Sequence, residues 1–219
     1  AERIEVPADA WIDWDAQEGR WKTVGEVHPD GLEARTATII TYEDDLFERT
    51  WHDGSHLSGA DFVAELIIGF ARGKKESPLF DQAYVPTMEM FMRHFRGVRV
   101  TSRNPWVIES YTDQIYPDAE YIASSATLSM GSGFGPWHTL ALGVLAEREK
   151  KLAFSADKAD RMKTEWASYI AGPSLPIFAE ILIKAKKNAF LPWPKVMEAF
   201  ISDGEVEARY EALEKWNQE

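Results

Sequence analysis

The clearest pattern of apolar and polar positions in the chain lies at residues 57–70. Apolar Leu57 precedes Ser58-Gly59-Ala60-Asp61, whose spacing is that of a capping box, and Phe62, Val63, Leu66, Ile67 and Phe70 follow. Positions i, i+1, i+4, i+5 and i+8 share one face of a helix. The predicted helix stops near Arg72-Gly73, where glycine suits the position after the last turn. Ahead of it, Trp51-His52-Asp53-Gly54 reads as a tight turn: a large apolar anchor, two polar residues and a glycine that takes φ > 0 without a steric cost. Upstream, Thr36, Thr38, Ile39, Ile40 and Thr41 predict a strand over 34–42, because β-branched side chains fit a pleated surface. The unit is strand, turn, capped helix.

The flanking pattern extends this picture. Trp11-Ile12-Asp13-Trp14-Asp15 alternates like a strand, and a strand–turn–strand is expected about 14–21. Ser77-Pro78 and Val85-Pro86 predict that 74–86 stays out of helix. A short helix is expected over 87–95, with Met88, Phe91, Met92 and Phe95 on one face. Residues 97–102 and 106–112 predict a hairpin about Asn104-Pro105. Period-two alternation puts Trp106, Ile108 and Ser110 on one face of it and Val107, Glu109 and Tyr111 on the other. Three glycines, two serines and a proline at 129–136 predict a flexible loop, with Pro136 in the first turn of a helix reaching Leu145.

The remainder reads as helical. One helix starts at Ser155, with Met162, Trp166, Tyr169 and Ile170 as its inner face, and Gly172-Pro173 breaks it. A second spans 174–189 and is broken by Leu191-Pro192-Trp193-Pro194; a last helical region carries Val196, Met197, Phe200, Val206, Tyr210, Leu213 and Trp216. Pattern alone predicts an α+β protein: an α/β segment over 1–130 that carries the Trp-His-Asp-Gly turn and a mainly helical segment over 131–219, forming one compact unit.

Composition narrows the function classes. The chain has 219 residues, 45% of them hydrophobic and 27% charged, an ordinary globular balance. No stretch reaches about 18 consecutive apolar residues, the length that spans a bilayer. No basic stretch followed by an apolar run marks a signal peptide, which carries little weight in a chain starting at Ala1. With 24 Lys+Arg against 36 Asp+Glu the formal charge is −12, so nucleic acid is not an expected partner. The absence of cysteine removes disulfides, thiolate metal sites and cysteine nucleophiles. Nine tryptophans are many for this length, and core and edge packing is the first reading of them.

Trp51-His52-Asp53-Gly54-Ser55, with Leu57-Ser58 and Asp61-Phe62-Val63, resembles the signature of family 5 extracellular solute-binding proteins, the dipeptide and oligopeptide receptors of ABC importers. The Thr- and Ile-rich residues 36–42 resemble the strand that runs into that signature, and Gly97-Val98-Arg99-Val100 through Val107-Ile108-Glu109-Ser110-Tyr111 resembles a later hairpin. The likeness covers residues 36–70 best, continues over 97–121 and fades after about 140. Members are more than twice this long, so the chain is expected to be an interior segment of one. The resemblance implies a type II periplasmic-binding-protein lobe with a mixed sheet. It also implies a peptide or other small-solute ligand, an ABC permease as partner, an extracytoplasmic location, and a monomer without cofactor or catalysis. Extended peptides are held in such receptors mainly through main-chain hydrogen bonds.

Candidate chemistry is sparse. His52 and His56 stand at i and i+4, a spacing that shares a metal on a helix, but Gly54 and the downstream cap put both in a turn, so no metal is expected. Asp53 is expected to bond amides of its own turn. Asp44-Asp45 and Asp113 with Asp118 invite a carboxylate hydrolase reading, which is kept as an alternative beside a tryptophan-rich interaction domain. Ser132 lacks the spacing of a nucleophile elbow, and the glycines around it match neither dinucleotide nor phosphate loops. Trp106 and Tyr111 on the hairpin and Trp137 and His138 beside the glycine-rich loop are the candidate ligand contacts; the last two either line a pocket or pack on the core.

Overall fold

The computed structural model describes residues 3–115, 117–118, 120–121 and 135–216. Its sheet grows from two local hairpins. β2 (Trp11–Asp15) and β3 (Arg20–Thr23) close over a turn at Gly19, whose φ is +64°. β6 (Phe95–Arg103) and β7 (Trp106–Thr112) close over Asn104-Pro105. β5 (Thr36–Thr41) adds outside β7, and β2 joins β6 through the pair Trp11↔Val98. The order is β3-β2-β6-β7-β5, with every pairing antiparallel. β1 (Ile4–Glu5) and β4 (Glu33–Ala34) form a small separate sheet, and the single-turn α1 (Val24–Val27) follows β3.

The fold class is α+β, and the expectation of a mixed sheet is corrected. β5 and β6, the two strands joined by a helical crossover, run the same way but never touch, because β7 lies between them. The only parallel pairing among the described residues is the two-residue ladder of β8 (Leu152–Ala153) and β9 (Glu165–Trp166). Among the described residues β5 is an edge strand, and Ile39 on it is 64% exposed.

The crossover holds α2 (Gly59–Gly73), a 3-10 turn at Gln82–Tyr84, and α3 (Val85–His94). α2 ends where the sequence predicts. It is buried on more than the expected face, however: Val63, Leu66, Ile67, Ile68 and Phe70 are all at most 5% exposed. The sheet covers one side and α4 (Trp137–Arg148) packs on another. Burying five such side chains contributes on the order of 10 kcal/mol before chain entropy is counted. α3 begins two residues before the predicted start. Pro86 does not exclude it, since proline lacks only an amide that the first turn leaves unused.

Pro136 caps α4 from outside, with extended ψ of 150°, so that Trp137 is its first helical residue. α5 (Ala156–Met162) stops at Lys163, which takes φ +55°. The expected inner face therefore fails at its end: Trp166 lies in β9 and is 58% exposed, and Ile170 is 91% exposed. A left-handed lysine carries no glycine or proline signal, so the helical period of the sequence continues past the point where the helix stops. α6 (Ser174–Lys187), α7 (Pro194–Met197), a 3-10 turn at Glu198–Phe200 and α8 (Glu205–Trp216) complete the chain. One core cluster runs from Trp14 to Tyr210 and joins sheet, α2 and the later helices. No described helix is long and apolar enough to cross a membrane. Most of the expected loop at 129–136 lies outside the described residues.

Candidate functional site

The predicted turn forms. Trp51 N donates to Ser55 O at 2.8 Å, Gly54 N to Trp51 O at 2.9 Å, and Gly54 takes φ +81°. Asp53 Oδ1 accepts from Ser55 N at 3.0 Å and from Ser55 Oγ at 2.6 Å, the role expected of it. Its second oxygen does something the sequence did not announce. Asp53 Oδ2 lies 2.6 Å from Nε2 of His138, on α4 and fully buried.

Asp61 is likewise more than a cap. Its Oδ2 accepts from Ser58 N at 2.9 Å, closing the box, and also from Trp51 Nε1 at 3.2 Å and Arg209 Nη2 at 2.9 Å. Its Oδ1 accepts from Trp137 N at 2.8 Å, so one carboxylate caps both α2 and α4. Arg209, on α8 and 2% exposed, is the hub. Nη2 also reaches Ser58 Oγ at 3.1 Å and Glu205 Oε1 at 3.3 Å, while Nη1 reaches Ser55 Oγ at 3.3 Å and His138 Nδ1 at 3.5 Å. A guanidinium only donates, so Nδ1 is the acceptor and Nε2 carries the proton given to Asp53.

Two carboxylates, Asp61 and Glu205, thus share one guanidinium, and Asp53 joins the same buried network through Ser55 and His138. Helix starts supply the remaining stabilisation. Ser58 N at α2, Trp137 N at α4 and Ser202 N before α8 all point at these oxygens, and amides at a helix N-terminus carry partial positive charge. Glu205 Oε1 also takes Trp137 Nε1 at 3.1 Å. Burial works against ionisation of Asp53, but the bonds from His138 and Ser55 outweigh it and hold the carboxyl well below the usual range. Glu205 is lowered in the same way: burial opposes, and the Ser202 amide, Ser58, Trp137 and Arg209 prevail.

The network is the wall between two cavities. A cleft of about 740 Å³ opens on one side, bounded by Ser55, His56, Gly59, Arg103, Trp106 and the 199–205 segment. A smaller apolar pocket of about 240 Å³ lies on the other, between Trp51, Leu142, Phe178, Leu182 and Trp216, with His52 at its rim. His52 and His56 therefore face different cavities, and among the described residues no cluster of His, Asp and Glu is arranged to hold a metal ion.

Of the four candidate contacts, Trp137 and His138 come together in the network, each fully buried with its polar atoms bonded inside the protein. Trp106 is 2% exposed and lines the cleft. Tyr111 belongs to a separate small core with Val6, Ala10, Ile12, Val24 and Ala34. Burial and a hydrogen bond to Glu109 push its phenol up to about 12. In the acidic pairs, Asp45 is bound by Arg49 at 3.1 Å and Asp113 by Arg96 at 2.6 Å. Ser132 lies outside the described residues. Of nine tryptophans, Trp14, Trp21, Trp106, Trp137 and Trp193 are buried, and Trp166 and Trp216 are the exposed ones.

Sequence reasoning missed Glu205 and Arg209. One signal was present: Ser202-Asp203-Gly204-Glu205 has capping-box spacing, and Ser202 N does donate to Glu205 Oε2 at 2.9 Å. Arg209 one turn further on follows from that start. Neither a family model nor a curated protein matches this chain.

Proposed function

We propose that the chain is a solute-binding component of an extracytoplasmic receptor that delivers peptides or another small solute to an ABC permease. The observation that carries this reading is the hydrogen-bonded Trp51–Ser55 turn, whose Gly54 and Ser55 line, with the start of the capped helix, an open cleft of about 740 Å³. That volume is in the range that holds a small ligand. The turn and cap are also the residues on which the likeness to family 5 solute-binding proteins rests. The type II binding-protein architecture, in which lobes close on the ligand, belongs to this proposal. In it, ligand binding energy favours the closed arrangement over the open one.

The test is native mass spectrometry of the purified chain, followed by thermal-shift screening against di- to octapeptides and sugars. The expected result is a co-purified solute, or a shift of several degrees with one solute class. No shift with any solute, for this chain and for a longer chain that contains it, overturns the reading.

A further inference from the structure

Phe200 occupies a box built by other parts of the chain. Its ring meets Trp106 edge-to-face at 5.9 Å and Trp11 edge-to-face at 6.1 Å. The Arg103 guanidinium carbon lies 4.8 Å from the ring centroid, over its face. The start of α2 closes the fourth side: a methyl built on Gly59 would lie 3.3 Å from Phe200 Cδ1. Trp106, Phe200, Arg103 and Gly59 all line the large cleft, so the box opens into it.

Two facts set Phe200 apart from an ordinary core residue. Its segment is held loosely. Of residues 198–204 only Phe200 and Ile201 are even half-buried, and among the described residues the segment's polar atoms bond only within its own turns and to the first turn of α8. Arg103, in turn, has no hydrogen bond or ion pair from its side chain among the described residues; the ring face is its contact. A guanidinium over an aromatic face gains a cation–π attraction, yet its fork of N–H donors is left without the carboxylate it matches best.

We propose that this box is an aromatic subsite of the cleft, filled in the ligand-free chain by Phe200 as an internal ligand, and that the external ligand is an aromatic carboxylate. Its ring replaces Phe200 between Trp11 and Trp106, and its carboxylate takes the free fork of Arg103. The proposal rests on the solute-binding reading and names the ligand chemistry. A free aryl acid and the last residue of a peptide ending in Phe or Tyr present the same two groups, and the rest of a peptide would lie in the remaining cleft.

The test titrates the chain, Phe200→Ala and Arg103→Gln with N-acetyl-phenylalanine, its C-terminal amide, N-acetyl-leucine and Gly-Gly-Phe. Calorimetry and the fluorescence of the box tryptophans report binding. Emptying the box removes the internal competitor, so Phe200→Ala should bind N-acetyl-phenylalanine at least about tenfold tighter than the parent chain. The amide and the leucine compound should each bind about tenfold more weakly than the acid. Arg103→Gln, an exposed substitution that leaves the core intact, should erase the preference for acid over amide. Tighter binding of Gly-Gly-Phe supports the proposal with a peptide terminus as source; equal binding supports it with a free aryl acid. Equal affinity of Phe200→Ala and parent, or of acid and amide, overturns it. If Phe200→Ala takes no aryl acid while the parent chain still binds another solute, the subsite falls and the receptor reading stands. If the variant takes the acid while the parent and its longer chain bind no solute, the receptor reading falls and the subsite stands.

Discussion

Replacing Arg209 by methionine keeps an unbranched apolar stem and removes the guanidinium with its charge. The guanidinium then no longer holds Asp61 Oδ2 at 2.9 Å, Glu205 Oε1 at 3.3 Å or the Ser58 hydroxyl at 3.1 Å. Breaking a buried pair by deleting one partner costs about 3–5 kcal/mol, because the other charge stays buried. Here the carboxylates keep other donors, namely Ser58 N, Trp51 Nε1 and Trp137 N on Asp61 and Trp137 Nε1 and Ser202 N on Glu205. The expected loss therefore sits at the low end, about 3 kcal/mol. A domain holds about 5–15 kcal/mol in all, and at this size each kcal/mol moves Tm by about 2–4 °C, so the melting point should fall by about 6–12 °C. Urea unfolding followed by tryptophan fluorescence measures it, with an unchanged slope as the sign that the folded state is the same. The double variant Arg209→Met with Asp61→Asn should cost less than the sum of the two single changes, with a coupling of about 1–3 kcal/mol. A loss below about 1 kcal/mol, or strict additivity, would refute the view that Arg209 is the hub of the network.

Three further outcomes follow from the same geometry. Asp53 is ionised more easily in the folded chain than in the unfolded one, so its contribution is complete above the ordinary carboxylate value of about 3.9 and is lost as the pH falls below it. The parent chain should accordingly lose more stability than Asp53→Asn between pH 5 and pH 3; parallel acid profiles would contradict the Asp53–His138 bond as a source of stability. Glu147 has the opposite sign. Burial raises it, while Lys158 at 2.5 Å and the Phe154 amide at 2.7 Å oppose the rise. Lys158→Met should cost about 3 kcal/mol at pH 8 and progressively less at lower pH, as Glu147 takes up a proton; a cost independent of pH would argue against the pair. In Gly59→Ala the new methyl would fall 2.7 Å from Trp106 Cη2 and 2.8 Å from Cζ3. Overpacking of about 1–3 kcal/mol should exceed the roughly 1 kcal/mol gain in helix propensity, and a higher Tm would show that Trp106 yields freely.

Much of the local structure was legible. The hairpin at Asn104-Pro105, the turn at Trp51–Gly54 and the box at Ser58 each depend on residues within a few positions of one another, and each formed where its spacing indicated. The errors were of two kinds. Stops without a glycine or proline signal, such as left-handed Lys163, let a helical period be read too far. The mixed sheet was implied by the resemblance alone; strand direction depends on which strands become neighbours, and β7 intervenes between β5 and β6.

By itself the sequence determined most of the elements, because turns, caps and periodicity are short-range physics. It also determined that Asp53 would serve its turn and Asp61 its helix. That the spare oxygen of Asp53 would meet His138, 85 positions away, and that Asp61 would meet Arg209, 148 positions away, was decided only by packing. A carboxylate has more acceptor sites than its local turn or cap consumes. Once α4 and α8 close over the turn and exclude water, every remaining site must find a donor, and only the tertiary structure says which one is near.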